Sequence, residues 1–379
     1  MRLLDKYILR NFLVPFLLCF FGFLSIWLVF DLSDNATDFI DGKANAGMLA
    51  GYYASQLPQI ALISLPVGLV LALLYALSRM SRANEVIAML TAGQSLGRLL
   101  VPLFAVGLLL TGVSTWLNYG MAPHAEIERK AFFARLSEKK RRKGEVIEAH
   151  LYRNRADRRT WYVEEMPTLQ ARDQVLHGIH IVEQDKALNI RTKWYARRAR
   201  YDPLGQTWRF ERGRTVHFDE EGNLTSEEGW RVLLMRDWRE NPWRIVSTNI
   251  ASDGLSVPEL REYLRQNADF PAAQLRPYRT ELLYRWSLPW GCFVVIFLAA
   301  PLGIVYSRRG ILAGVAGAIF LFAAHLFLGF LFLALGKGGV LPPFVATWGI
   351  HILFLAIGAY LFYLRSTNRE LPDLGRWMP

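Results

Sequence analysis

The sequence predicts an α-helical integral membrane protein with six transmembrane helices, three on each side of an inserted extracytoplasmic all-β domain of jelly-roll-like type. Three observations carry this reading. Six runs without a charged residue (11–30, 44–78, 99–123, 286–307, 310–336 and 338–364) each match or exceed the roughly 20 residues that cross about 30 Å of hydrocarbon. Between the third run and the fourth the pattern shortens to strand-length alternation punctuated by turns. The basic residues outside that insert segregate to one side of the path. A net charge of +11 with 20% charged residues is therefore an average over very different segments.

Outside residues 125–285, Arg2, Lys6, Arg10, Arg79, Arg82, Arg98, Arg308, Arg309, Arg365, Arg369 and Arg376 fall on one side of an alternating six-span path. Only Lys43 and Lys337 fall on the other. The positive-inside rule then places both termini and the loop after span two in the cytoplasm, and the insert outside. Long translocated domains are largely exempt from the rule, so the insert's own basic surplus is no objection. Span one has an apolar core longer than the roughly 7 to 15 residues of a signal peptide, with no small-x-small cleavage site close behind, and reads as an uncleaved anchor.

Residues 1–123 make the first membrane half. Span one is rich in phenylalanine (Phe12, Phe16, Phe20, Phe21, Phe23, Phe30) and has Pro15 near its start. Such a face packs on lipid or helices, or holds acyl chains. The loop that follows is acidic, with Asp31, Asp34, Asp38 and Asp41. Pro58 and Pro66 interrupt the hydrogen-bond ladder of span two.

Residues 77–95, LSRMSRANEVIAMLTAGQS, are predicted to form a short polar helix. Arg79 and Arg82 stand at its start, Glu85, Ala88, Met89, Leu90 and Ala92 favour helix, and Gly93-Gln94-Ser95 stands where a C-cap belongs. Val86, Met89 and Leu90 give it one apolar side. It is either an ordinary amphipathic loop helix or a coupling helix that presses on a soluble partner.

The insert, 124–276, opens with a charged helical stretch ending in KKRRK at 139–143. Short β-prone runs follow at 160–163, 178–182, 208–210 and 214–218, separated in places by the turn-like DPLGQ and DEEGN. That spacing suggests an antiparallel sandwich or jelly roll. Alternation puts Ile179 and Ile181 on one face, and Trp208 with Phe210 on one face of another strand. His177 and His180, three apart, are expected on opposite faces, which excludes chelation of one metal by both. Cys19 and Cys292 both lie in spans, without metal or redox spacing, and no nucleophile elbow or phosphate loop occurs. No catalytic residue, cofactor, metal or nucleic-acid partner is expected. The second membrane half, 277–379, contributes a fifth span that mixes Gly314, Gly317 and Ala318 with Phe320, Phe322, Phe327, Phe330 and Phe332.

Taken together, the chain resembles the LptF/LptG permeases of the lipopolysaccharide export system over nearly its whole length. The residues that carry the resemblance are Asp5-Lys6-Tyr7-Ile8, Pro66, Leu77-Ser78-Arg79, Glu85, Ala88, Gly93, Ser95, Glu281, Arg285, Pro289 and Ala300-Pro301-Leu302-Gly303. The run 197–210 with Tyr201-Asp202-Pro203 and Trp208, the stretch 255–264 and the approach to span six at 339–343 look more like LptG than LptF. LptG-like proteins tend to be basic at the outer end of span one, whereas here that end is acidic with only Lys43 nearby.

The resemblance implies a permease subunit in the inner membrane, paired with a second six-span permease and driven by a cytoplasmic ATPase dimer. Arg79, Arg82, Glu85, Met89, Gly93 and Ser95 would couple to the ATPase. Lipopolysaccharide would enter a lateral gate lined by Phe20, Phe23 and Ile26 of span one and Phe320, Phe327 and Phe330 of span five. Its acyl chains would pass over Ile179, Ile181, Trp208 and Phe210 to periplasmic bridge proteins of jelly-roll fold. Two other classes stay open: a membrane-anchored periplasmic scaffold without transport, and a lipid-modifying enzyme, for which the spans offer only His325, His351 and Asn118.

Overall fold

A computed structural model describes residues 3–136, 146–154, 156–167, 175–247, 250–304 and 310–367. The KKRRK run and Arg308–Arg309 lie outside the described residues. The first half comprises α1 (Leu3–Asp34), α2 (Ala36–Asp41), α3 (Ala46–Arg82), α4 (Glu85–Thr91), α5 (Leu96–Trp116) and α6 (Ala125–Leu136). Next come β1 (Val146–Asn154), β2 (Arg159–Pro167), β3 (Leu176–Gln184), β4 (Ile190–Asp202), β5 (Thr207–Phe218) and β6 (Leu224–Arg236). Helices α7 (Pro242–Ser247), α8 (Val257–Gln266), α9 (Ala272–Ser287), α10 (Gly291–Gly303), α11 (Gly310–Gly338) and α12 (Pro343–Ser366) complete the chain.

Among the described residues, six helical stretches are long and apolar enough to cross a membrane, one for each predicted span. Two of them run past the expected domain borders. Span three continues through a π turn at Leu117–Met121 and a 3-10 turn at Ala122–His124 into α6, so Pro123 does not end the helix. The border at 276/277 falls inside α9, whose polar first turns hide from hydropathy the helix that leads into span four.

Spans two and four form the centre of the membrane half, with 56% and 72% of their most apolar windows buried. Leu69, Leu73 and Leu77 of α3 pack there with Leu100 and Leu103 of α5 and with Ile296 and Ala299 of α10. Spans one and five are peripheral, with only 11% and 17% buried. On α1 a stacked ladder of Phe12, Phe16 and Phe20, with ring centroids 5.7 and 6.0 Å apart, faces that centre.

The insert is an antiparallel sheet of six strands in sequential order β1-β2-β3-β4-β5-β6. The expected antiparallel β character is present, but the order is a meander, without the crossovers between two sheets that a sandwich needs. Short hairpins make it so: Asp202 accepts from the Leu204 amide in DPLGQ, and Asp219 accepts from the amides of Glu221 and Asn223 in DEEGN. The runs 208–210 and 214–218 belong to one strand, β5, rather than two.

What closes the inner face is helix. Trp161, Ile179, Ile181, Trp208 and Phe210 share a core with Ile245 and Val246 of α7 and Leu260 and Tyr263 of α8. A capping box formed by Ser256 and Glu259 starts α8. Burial holds the His150 imidazole below its usual range, and its Nε2 donates to the Ile245 carbonyl at 2.8 Å, tying α7 to β1. Below that core the Glu240 carboxylate, with no exposed surface, accepts from Asn154, Arg159 and Trp161 at 2.8, 3.0 and 3.4 Å.

A crease crosses the whole sheet. The strand registers bring Ala149, Glu164, Gly178, Arg197, Arg212 and Arg231 into one line, one residue from each strand. Alternation breaks at that line: Val163 and Met166, Leu176 and Ile179, and Ala196 and Ala199 are three apart, yet all are buried. Ala149, Gly178 and Arg212, on alternate strands, have φ of 55°, 60° and 53°. That left-handed conformation flips the next side chain to the other face. His177 and His180 accordingly lie together on the face away from the core, contrary to the opposite faces that simple alternation predicts.

Candidate functional site

Residues 77–95 do not form one helix. Arg79 and Arg82 are the last turn of the span-two helix, and Ala83 is its C-cap. Asn84 takes φ 56°, a conformation asparagine tolerates better than most residues, and this turns the chain into the seven-residue α4. Gly93, at φ 84°, ends the segment, and the Ser95 hydroxyl caps α5 by accepting from the Arg98 amide at 3.3 Å.

Val86 is buried, and Met89 and Leu90 pack against the membrane core, so the apolar side predicted for this segment is the side that docks. Met89 is thus a packing residue more than a surface one. The opposite side exposes Ala88, Thr91 and Ala92, with Arg79 and Arg82 beside them. Small side chains flanked by two guanidiniums make a surface on which another protein can come close.

Glu85 has a role that spacing could not show. Its Oε2 accepts from the Tyr7 hydroxyl at 2.8 Å, across 78 positions of sequence. Close by, Arg98 pairs with Asp5 at 2.9 Å. The start of span one is therefore fastened to α4 and to the first turn of α5. Asp5 and Tyr7 entered the sequence reading only as family pattern.

The phenylalanines of spans one and five divide between two duties. Phe20 packs toward α3, its backbone 3.5 Å from where a Cβ on Gly68 would stand, so it belongs to the protein's own packing rather than to an outward surface. Phe23 is half-buried, while Ile26 is exposed. On α11, Phe320, Phe327 and Phe330 are all exposed and Phe322 is buried. Gly314, Gly317 and Ala318 also turn inward, so the small residues of span five serve the chain's own packing.

At the insert end of the spans, Arg285 bonds to Glu281 and to Asn118, and Lys337 bonds to Glu281 at 2.6 Å. This buried knot joins spans three, four and five. His325 and His351, scattered in sequence, meet at 3.2 Å between spans five and six. Among the described residues no group of three metal-ligating side chains occurs. Of the β-domain residues expected to carry lipid, Ile179 and Trp208 have no exposed surface and Ile181 and Phe210 have 1%. All four lie beneath α7 and α8, so in this conformation they are core.

Six spans, an inserted sheet and a short helix between spans two and three define a multi-pass membrane protein with an inserted β domain. The chain belongs to the LptF/LptG family: the model described as lipopolysaccharide export system permease LptF/LptG matches residues 6–364. Comparison with curated proteins gives no match.

Proposed function

We propose that this chain is an LptG-like subunit that lifts lipopolysaccharide from the outer leaflet of the inner membrane. A second six-span permease completes the cavity, and a cytoplasmic ATPase dimer presses on α4. The observation that carries this is the joint at Tyr7–Glu85 and Asp5–Arg98, which fastens α4 to the foot of span one. A push on α4 reaches span one through hydrogen bonds rather than through a flexible loop. Span one and span five are also the least buried spans, so both have apolar faces left for lipid or for a partner helix. Extracting several acyl chains exposes methylenes at about 0.8 kcal/mol each, which requires coupled energy and a covered path. The lipid then passes to the β domain and on to periplasmic bridge proteins.

Charge reversal tests the joint and the coupling surface together. Glu85→Lys is expected to leave the chain folded and inserted, since losing one half-exposed hydrogen bond costs about 1 kcal/mol. It is expected to weaken co-purification of the ATPase and to reduce export. Tyr7→Phe, which removes the bond but keeps the charge, should retain the ATPase and still slow export. Full export by Glu85→Lys would end the coupling reading.

Orientation is checked by thiol labelling after both native cysteines are replaced with serine. Leu204→Cys, at the exposed β4–β5 turn, should react with an impermeant reagent on intact spheroplasts. Ala83→Cys should react only after the membrane is opened. The reverse pattern would invert the protein and place α4 out of reach of a cytoplasmic ATPase.

A further inference from the structure

The outer face of the sheet carries a trough that the acyl-chain path does not use. It follows the crease as a shallow depression of about 790 Å³, largely open to solvent. Arg197, Arg212, Arg214 and Arg231 line it. Arg214 is engaged by Glu227 at 3.0 Å and lies over the Tyr195 ring at 5.0 Å. Among the described residues, Arg197, Arg212 and Arg231 have no carboxylate within ion-pair distance. The crease itself gathers them, because one register line holds all three.

The floor is backbone. A Cβ on Gly213 would stand 2.0 Å from the Tyr195 carbonyl oxygen and 2.3 Å from the Trp230 indole, so only glycine fits between them. Tyr195 lies on the outer face beside His180 and Arg214, whereas Trp230, in register with Gly213 and Ala196, packs against the inner core. The trough has a carboxylate of its own, Glu164, which lies over Gly178 and 4.0 Å from His180 Nε2.

We propose that this trough binds the phosphorylated saccharide headgroup of a lipid. Guanidinium groups without a carboxylate partner match phosphate oxygens in fork geometry, and they lose less hydration on pairing than ammonium groups do. Acyl chains have no place on this polar face; that the lipid is the exported one rests on the reading above. A free phosphate shares part of this chemistry, and an acidic peptide shares its charge.

The test is calorimetry on the full-length chain in detergent, using an acyl-free disaccharide with two phosphates as the probe. Saturable one-to-one binding is expected, weakened about tenfold by Arg197→Gln and by Arg231→Gln, the effect of losing one charge-assisted contact. Glu164→Gln should tighten binding several-fold, a gain that misfolding cannot produce. The unphosphorylated disaccharide and inorganic phosphate should each bind at least about tenfold more weakly. Unchanged affinity in both arginine variants would overturn the proposal, as would inorganic phosphate or an acidic peptide binding as tightly as the probe. Export is measured separately: absence of binding with export intact removes the trough and leaves the export reading standing.

Discussion

Ile179→Asp is expected to leave almost no full-length protein in the membrane. The side chain has no exposed surface and sits in the core that the sheet shares with α7 and α8. An ionised carboxylate there has no partner, and the cost of burying it unpaired is several kcal/mol. A protonated carboxyl would still leave polar atoms without hydrogen bonds. Against a typical domain stability of about 5 to 15 kcal/mol, either form is enough to empty the native state. Immunoblots of membrane fractions, with limited proteolysis of the insert, measure the outcome directly. If the variant accumulates to wild-type levels and only export fails, the inner face is an open acyl-chain groove and the helical cover must move aside. A photo-crosslinking residue at Ile181 gives a second view: a closed core captures only intramolecular neighbours, whereas a groove captures lipid when ATP is present.

The spans were legible because hydrocarbon imposes a length on them and tolerates no unpaired charge, a demand that shows directly as uncharged runs. The antiparallel insert was legible in outline for a similar reason: Ile179 with Ile181 and Trp208 with Phe210 obey the period of two on their own sides of the crease. The crease was not legible. Gly178 could have hinted at it, but Ala149 and Arg212 take the same left-handed conformation without any compositional mark. The fault is cooperative across six strands, and a one-dimensional period cannot express that.

The borders of α4 failed for a different reason. Its helix formers run on from span two without a break in propensity, and the break is a single asparagine, Asn84, in a conformation that sequence permits but does not require. Tyr7 and Glu85 meet because spans one and two are packed side by side, and a pair 78 positions apart has no local signature. Asn118, Glu281, Arg285 and Lys337 are likewise far apart in sequence, and packing makes them one knot.

Cross-linking span five of this chain to span one of the second permease is expected to abolish export until the bond is reduced. Phe320, Phe327 and Phe330 lie outward on α11, each about two-thirds exposed among the described residues. Gly314, Gly317 and Ala318 turn inward and hold the helix against the protein. The outward face is therefore a wall of rings on a helix anchored from behind, suited to sealing against an apolar partner or to lining a lipid path. At the insert end, the Lys337–Glu281 ion pair holds the top of the helix to span four. Residue Cys19 lies in span one and could form stray disulfides, so the experiment begins from a chain in which Cys19 and Cys292 are serine. A Phe327→Cys variant paired with a cysteine in the partner's span one should then give a disulfide-linked heterodimer that hydrolyses ATP and exports nothing. Reduction should restore export to the level of the uncross-linked pair. Export that proceeds at full rate with the cross-link complete would place the lipid's way in elsewhere and leave the three phenylalanines as lipid-facing surface.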